Sequence, residues 1–411
     1  MKLKQKRWLI LVISCLINLC IGSLYAWSVF ASPMADYING IKGLSLNAGS
    51  MAIVFTIANS VGPITMISGG SINDRFGPKF VIFAGGILFG GGMLLSGFAQ
   101  SVGFLILTYG IFMGLGMGLV YGCTINNSVK FFPDKRGLIG GIATATYGLS
   151  SVIMPFIANA LIQNVGITMT FKIIGVVFLV VICAGAFFIE KCPADYVPEG
   201  WTPKQASETK KSSADKNWRE MLADKQFYVM LVILTCGAFC GLMFTSQASA
   251  IGQNMVGMSV TAATTAVSVL ALFNATGRIA SGYISDRIGR INMLAIAFVI
   301  ALAGLGTLYM TGNGDVAKFY VGISAVGFCF GSFMGIFPGF TADQFGTRNN
   351  SVNYGIMFIG FAFAGFFGPT LMKQIYTRDA AYQNAFLAAI GISAVGLLLT
   401  FVFRAMNKKV E

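Results

Sequence analysis

A single arginine stands inside a long apolar run. Residues 268–290 read SVLALFNATGRIASGYISDRIGR, and no charge separates Arg278 from Lys225 on one side or Asp286 on the other. A guanidinium at the centre of a membrane helix costs roughly 2.5–3.5 kcal/mol on insertion scales, so it needs a partner. Its planar fork matches a carboxylate through two parallel, charge-assisted hydrogen bonds. The rest of the sequence offers no acid at that depth, which leaves an anion that comes and goes. The competing reading is a structural arginine snorkelling to the helix end, since Asp286 follows eight residues on, about 12 Å at 1.5 Å per residue. Asn274 lies one turn before Arg278 on the same helix face. It would orient the guanidinium or bind a substrate hydroxyl, or only join helices by a hydrogen bond.

Other side chains are weaker candidates. Tyr121 follows a glycine-rich run, Gly110, Gly114, Gly116 and Gly118. Small residues let helices approach closely, and a hydroxyl beside them would reach a carboxylate or simply pack. Tyr25, Trp27 and Tyr147 are aromatic residues of a kind that usually packs or anchors at the membrane interface. Asp74, Arg75, Asp286 and Arg287 sit where apolar runs end. They read as gate elements that pair when the cytoplasmic side closes and separate when it opens. Arg136 and Arg348, with Lys135, belong to the same network or orient the loops.

The elements that must position these residues are membrane helices. The 411 residues are 55% apolar and 10% charged, with mean hydropathy +0.75, whereas a soluble protein carries about 25% charge. Apolar runs long enough to cross about 30 Å of hydrocarbon recur throughout, and helices satisfy the backbone there. Twelve spans are expected near 8–31, 48–71, 79–98, 103–129, 137–162, 168–189, 226–252, 259–284, 291–311, 317–340, 349–372 and 382–404. The first is too long for a signal peptide and is read as an uncleaved helix. Domain limits follow: an N-terminal six-helix half over 1–189, a cytoplasmic linker over 190–225 with a short surface helix near Trp218–Leu222, and a C-terminal six-helix half over 226–411.

The net charge of +13 invites a nucleic-acid reading, but the basic residues cluster at alternate helix ends. Of 28 Lys and Arg, only Lys42, Lys172, Arg278, Lys318, Lys373 and Arg378 lie away from one side. The positive-inside rule puts both termini and the linker in the cytoplasm of a multi-pass protein of the inner or plasma membrane. Most of the 8 cysteines lie in apolar runs without metal spacing, and histidine is absent. No metal or cofactor is expected, and an enzyme would lack its usual base.

The halves repeat. Gly70, Asp74, Arg75 and Gly77 after the second run match Gly282, Asp286, Arg287 and Gly289 after the eighth, 212 residues later, and a cation follows in each, Lys79 and Arg290. The same offset relates Arg136 to Arg348 and Tyr121 to Phe333, so any hydroxyl bonding at Tyr121 is one-sided. Paired repeats are the plan of many secondary transporters.

The Gly-x-x-x-Asp-Arg-x-Gly-x-Lys pattern, complete in the first half and continued as Gly-x-x-x-Asp-Arg-x-Gly-Arg in the second, resembles the signature of the major facilitator superfamily, implying an all-α fold of twelve transmembrane helices in two six-helix repeats. Tyr25-Ala26-Trp27-Ser28, Tyr121-Gly122, Phe132-Pro133-Asp134-Lys135-Arg136-Gly137, Tyr147-Gly148, Arg278 and Asn353-Tyr354-Gly355 together resemble the oxalate:formate antiporter family, which is similar to monocarboxylate transporters. The resemblance implies that Tyr25, Trp27 and Tyr147 line the substrate cavity. It also implies a second buried cation in the eleventh helix, a lysine, where this chain has Phe361; an aromatic of the tenth helix is replaced by Met334. Phe361 would narrow and dry the pocket, or pack. One cation balances one carboxylate, and an unpaired second charge costs several kcal/mol.

The expected function is therefore secondary transport of a small monocarboxylate such as lactate, pyruvate or formate by alternating access, as proton symport or anion exchange. All 15 Asp and Glu are assigned to loops or helix ends, so no proton carrier is evident within the membrane. The partners implied are that carboxylate, a proton or counter-anion, and the bilayer, with the protein a monomer and no nucleic acid involved. Rival readings are an oxalate:formate-type antiporter of dicarboxylates, an exporter of amphipathic compounds, which would need a buried acid, a membrane enzyme, and a sensor, which would need a signalling domain.

Overall fold

The computed structural model describes residues 3–47, 50–193, 196–198 and 215–408, with only the backbone at 3–5 and 408. Every regular element among them is helical. In chain order these are α1 (Leu3–Ile21), α2 (Trp27–Lys42), α3 (Ala52–Phe76), α4 (Pro78–Ser96), α5 (Val102–Leu105), α6 (Gly114–Phe131), α7 (Arg136–Phe188) and α8 (Trp218–Ala223). Then follow α9 (Lys225–Thr245), α10 (Ala248–Asn254), α11 (Val260–Ile288), α12 (Arg290–Tyr309), α13 (Val316–Phe345), α14 (Asn350–Met357), α15 (Ile359–Asp379) and α16 (Gln383–Lys408). A 3₁₀ stretch, Gly22–Ala26, joins α1 to α2, and a π-helical stretch, Ile106–Met113, joins α5 to α6.

Among the described residues, eleven runs are long and apolar enough to cross a membrane. One of them, α7, holds two helices that meet at a kink at Gly166, whose φ of 77° and ψ of 166° are not helical. Counting it as two gives the expected twelve crossings.

The helices depart from the expected spans at informative places. The first does not stop near residue 31: α2 carries it on to Lys42, because Met34, Ala35 and Ile38 continue a buried face past Pro33. Asp36, expected in a loop, is thus on a helix, though exposed. The two repeated motifs are barely loops at all. Asp74 and Arg75 occupy the last turn of α3, and Asp286 and Arg287 that of α11. The chain reverses through one residue each time, Gly77 at φ 95° and Gly289 at φ 92°, a backbone region costly for any residue with a Cβ. The short surface helix forms at α8, where Asn217 and Glu220 make a capping box. The rest of the linker, 199–214, and the basic side chains of Lys2, Lys4, Lys408 and Lys409 fall outside the described residues.

Two compact units form, residues 1–133, 146–201 and 348–356 in the first, and 134–145, 202–347 and 357–411 in the second. In the first, α3 packs on α6 so tightly that a Cβ at Gly118 would run into the Gly62 carbonyl, and Thr65 Oγ1 donates to the Leu115 carbonyl at 2.7 Å. In the second, α11 packs on α13 across Gly327, Gly331 and Gly335. Their spacing of four puts them on one helix face, and a Cβ at Gly331 or Gly335 would strike the Asn274 or Arg278 carbonyl.

Candidate functional site

The glycine face of α13 fixes the α11 backbone at Asn274 and Arg278, so their side chains start from a rigid position. Arg278 is 4% exposed and Asn274 6%. Arg278 Nε donates to Asn274 Oδ1 at 2.9 Å, and Nη1 donates to the Thr144 carbonyl at 2.7 Å. Thr144 lies in the opening turns of α7, within the second unit, and its hydroxyl donates back to the Gly140 carbonyl at 2.8 Å. Both acceptors of the guanidinium are neutral. Among the described residues no carboxylate lies within ion-pair distance of Arg278, and its Nη2 has no hydrogen-bond partner. A guanidinium carries five N–H donors in a fixed fork, so donors remain for an anion. The arginine is neither neutralised by a side chain nor extended to solvent.

The other predicted residues fall in four places. Tyr25, Tyr121 and Tyr147 come together in the first unit: Tyr147 stands 4.8 Å from Tyr121 and 5.4 Å from Tyr25, ring centre to ring centre. Trp27 instead packs on Tyr109 at 4.5 Å, and its indole N–H, in a side chain 5% exposed, has no acceptor. Phe333 is fully buried against Phe298 at 4.6 Å and over Gly237, an arrangement of packing. Phe361 is half-buried and stacks on Phe358 at 4.5 Å with an interplanar angle of 22°.

The residues expected to gate also divide. Asp74 accepts from Lys130 Nζ at 2.8 Å and from the Val352 N–H at 3.2 Å, near the start of α14. Asp286 accepts from the Gly137 and Leu138 N–H groups, both at 2.9 Å, at the start of α7, and pairs with Arg290 at 2.6 Å. Unsatisfied amides and the helix dipole make a helix N-terminus a natural place for a carboxylate. Arg136 pairs with Asp343 at 2.7 Å, and Asp343 also takes Arg290 Nε at 2.9 Å. Arg348 contributes its carbonyl to Lys130 at 3.4 Å. The two motif arginines stay outside these networks. Arg75 is exposed, and among the described residues its side chain makes no ion pair; its carbonyl and that of Asp74 are capped by Lys191 Nζ. Arg287 lies over the Tyr283 ring at 4.4 Å and bonds its hydroxyl.

Sequence reasoning missed Thr144, Lys130, Asp343 and Lys191. A backbone acceptor such as Thr144 leaves no mark on residue type. Lys130 and Asp343 sit in the closing turns of α6 and α13, where a charge is ordinary. No group of three or more His, Cys, Asp or Glu residues placed to hold a metal occurs among the described residues.

Residues 8–369 match the Major Facilitator Superfamily. The chain is 31% identical to the MFS-type transporter YhjX of Escherichia coli (strain K12), over 87% of this chain and 85% of that one. It is 31% identical to the oxalate:formate antiporter of Oxalobacter formigenes, over 98% and 93%. It is 28% identical to monocarboxylate transporter 9 of Gallus gallus over 44% of this chain and 34% of that one. Among solved structures, the fucose transporter FucP in its outward conformation superposes with a TM-score of 0.70 at 14% identity, over 96% of this chain and 98% of that one. The proton:xylose symporter XylE gives 0.72 at 14%, over 97% and 96%. These two bear on the fold alone. With twelve crossings in two repeats and a superfamily match over most of its length, the chain belongs to the Major Facilitator Superfamily and is a multi-pass membrane transporter, not an enzyme.

Proposed function

We propose that this transporter carries small monocarboxylate anions, such as lactate, pyruvate or formate, across the membrane by alternating access. The observation that carries the reading is Arg278, a guanidinium 4% exposed whose two hydrogen-bond partners are uncharged. A buried charge without a counter-charge costs several kcal/mol, and a carboxylate bound to the free end of the fork removes that cost. Likeness to the oxalate:formate antiporter and to a monocarboxylate transporter supports a small organic anion as cargo. Phe361, set in a stack of aromatic rings, supports a single negative charge over two. Tyr25, Tyr121 and Tyr147 line the path in this reading, with Trp27 set on Tyr109 and Phe333 as packing. Asp74, Asp286, Arg136 and Arg348 gate it.

Two coupling modes fit. Anion exchange needs no proton carrier, because the site crosses occupied; proton symport would use the substrate carboxyl together with Arg278. Either way the empty site crosses slowly. The protein sits in the cell membrane as a monomer with cytoplasmic termini, and residues 1–189 and 226–411 form its two halves around a linker at 190–225. An exporter of cations is disfavoured, since Arg278 is buried without a counter-charge and Asp74, an acid whose side chain is 7% exposed, is already paired with Lys130. The test is uptake of labelled lactate and formate into proteoliposomes, with and without counter-substrate. Wild type transports and Arg278→Ala does not; equal uptake by both removes the proposed anchor, and oxalate moving as fast as lactate removes the charge argument at Phe361.

A further inference from the structure

The carboxamide of Asn274 does half of its work in the structure. Its oxygen holds Arg278 Nε at 2.9 Å. That orientation is forced, because an arginine nitrogen only donates and so must face an oxygen, not the amide nitrogen. Asn274 Nδ2 is therefore turned away from Nε. It is buried, in a side chain 6% exposed, and has no acceptor. Leaving a buried donor unpaired costs about 1–3 kcal/mol. A side chain that only had to hold the guanidinium would need no such donor.

The donors left over can be counted. After Thr144 takes one hydrogen from Nη1, one remains on Nη1 and two on Nη2. The tip of the fork thus offers one donor on each terminal nitrogen, enough for both oxygens of a carboxylate. Nδ2 belongs to the side chain that holds Nε. The acceptor it lacks is an additional one.

We infer that Asn274 is a direct substrate ligand that sets specificity: Nδ2 donates to an oxygen on the carbon next to the bound carboxylate, so the site selects 2-oxo and 2-hydroxy acids over unsubstituted acids of the same length. This rests on the carboxylate reading above. It makes Asn274 bifunctional, positioning Arg278 through its oxygen and reading the cargo through its nitrogen. Discrimination by a hydrogen bond is sharp because the analogue lacking the oxygen leaves Nδ2 buried and unpaired.

The test is competition binding to the purified full-length protein, with pyruvate, lactate and propionate as probes. They share length and charge and differ at the second carbon. Wild type binds pyruvate and lactate about tenfold or more tightly than propionate, the effect of one buried hydrogen bond. Asn274→Ala weakens all three through Arg278 and brings the pyruvate-to-propionate ratio to about one. A merely structural role would lower binding of all three acids and leave the ratio unchanged, which overturns the inference, as does a wild type that binds propionate as tightly as pyruvate. The wild-type comparison stands even where a variant does not fold. Binding of none of the three acids by wild type overturns the carboxylate reading itself and this inference with it.

Discussion

Helices α3 and α11 hold corresponding places in the repeat, and comparing them separates scaffold from chemistry. Both end in an aspartate that accepts a backbone N–H near the start of another helix, and both reverse at a glycine of positive φ. Both are approached closely by a glycine-bearing helix, α6 or α13. At the repeat offset of 212 residues, however, Asn274 and Arg278 of α11 correspond to Gly62 and Met66 of α3. Met66 is buried and apolar. What the two helices share builds a membrane-spanning frame, and where they differ one carries a buried cation with a polar clasp. The proposed substrate chemistry belongs to the difference.

The sharpest way to break that comparison is to exchange the differing residues. Arg278→Met gives α11 the side chain of α3 and lowers carboxylate uptake by at least 100-fold while the protein still purifies as a folded species, read by transport and by gel filtration. Met66→Arg buries a guanidinium without the acceptors that Asn274 and Thr144 supply. An unpaired buried charge costs about 3–5 kcal/mol, so this variant fails to accumulate as folded protein in the membrane fraction.

The shared features should respond alike in both helices. Gly118→Ala and Gly331→Ala each force a methyl group into a facing carbonyl; overpacking of this kind costs about 1–3 kcal/mol, seen as a lower melting temperature in detergent. The aspartates share a role with unequal partners. Asp286 takes two N–H groups at 2.9 Å, and Asp74 one at 3.2 Å. With hydrogen bonds to charged groups worth about 1.5–3 kcal/mol each, Asp286→Asn destabilises more than Asp74→Asn, and equal melting shifts would contradict that ranking. Smallest of all are Arg75→Gln and Arg287→Gln. Both side chains are exposed, and both changes stay within about 0.5 kcal/mol.

Much of the frame was legible because hydrophobic length is written along the chain. The repeat was legible through the 212-residue offset, and Arg278 through its isolation in an apolar run. What escaped was set by three dimensions. The extension of the first crossing to Lys42 depends on which face of Met34, Ala35 and Ile38 is buried, not on mean hydropathy. The partition of gate residues could not be read either: Arg75 and Arg287 look as important as their neighbouring aspartates in the motif, yet only the aspartates reach helix N-termini. Thr144 acts through its carbonyl, which every residue has. Trp27 shares its aromatic type and the family resemblance with Tyr25 and Tyr147, but the 3₁₀ stretch Gly22–Ala26 ends just before it and its ring lies on Tyr109.

The account turns on whether Arg278 holds the anion. The most direct measurement is the melting temperature of purified wild type and Arg278→Met across a lactate titration, at constant ionic strength with chloride as control. A ligand that binds only the folded state at 100 times its dissociation constant stabilises by about 2.7 kcal/mol. Wild type should therefore show a saturable rise with lactate and none with chloride, and Arg278→Met should show neither. An equal lactate-dependent rise in both proteins would mean that the buried guanidinium is not the anchor.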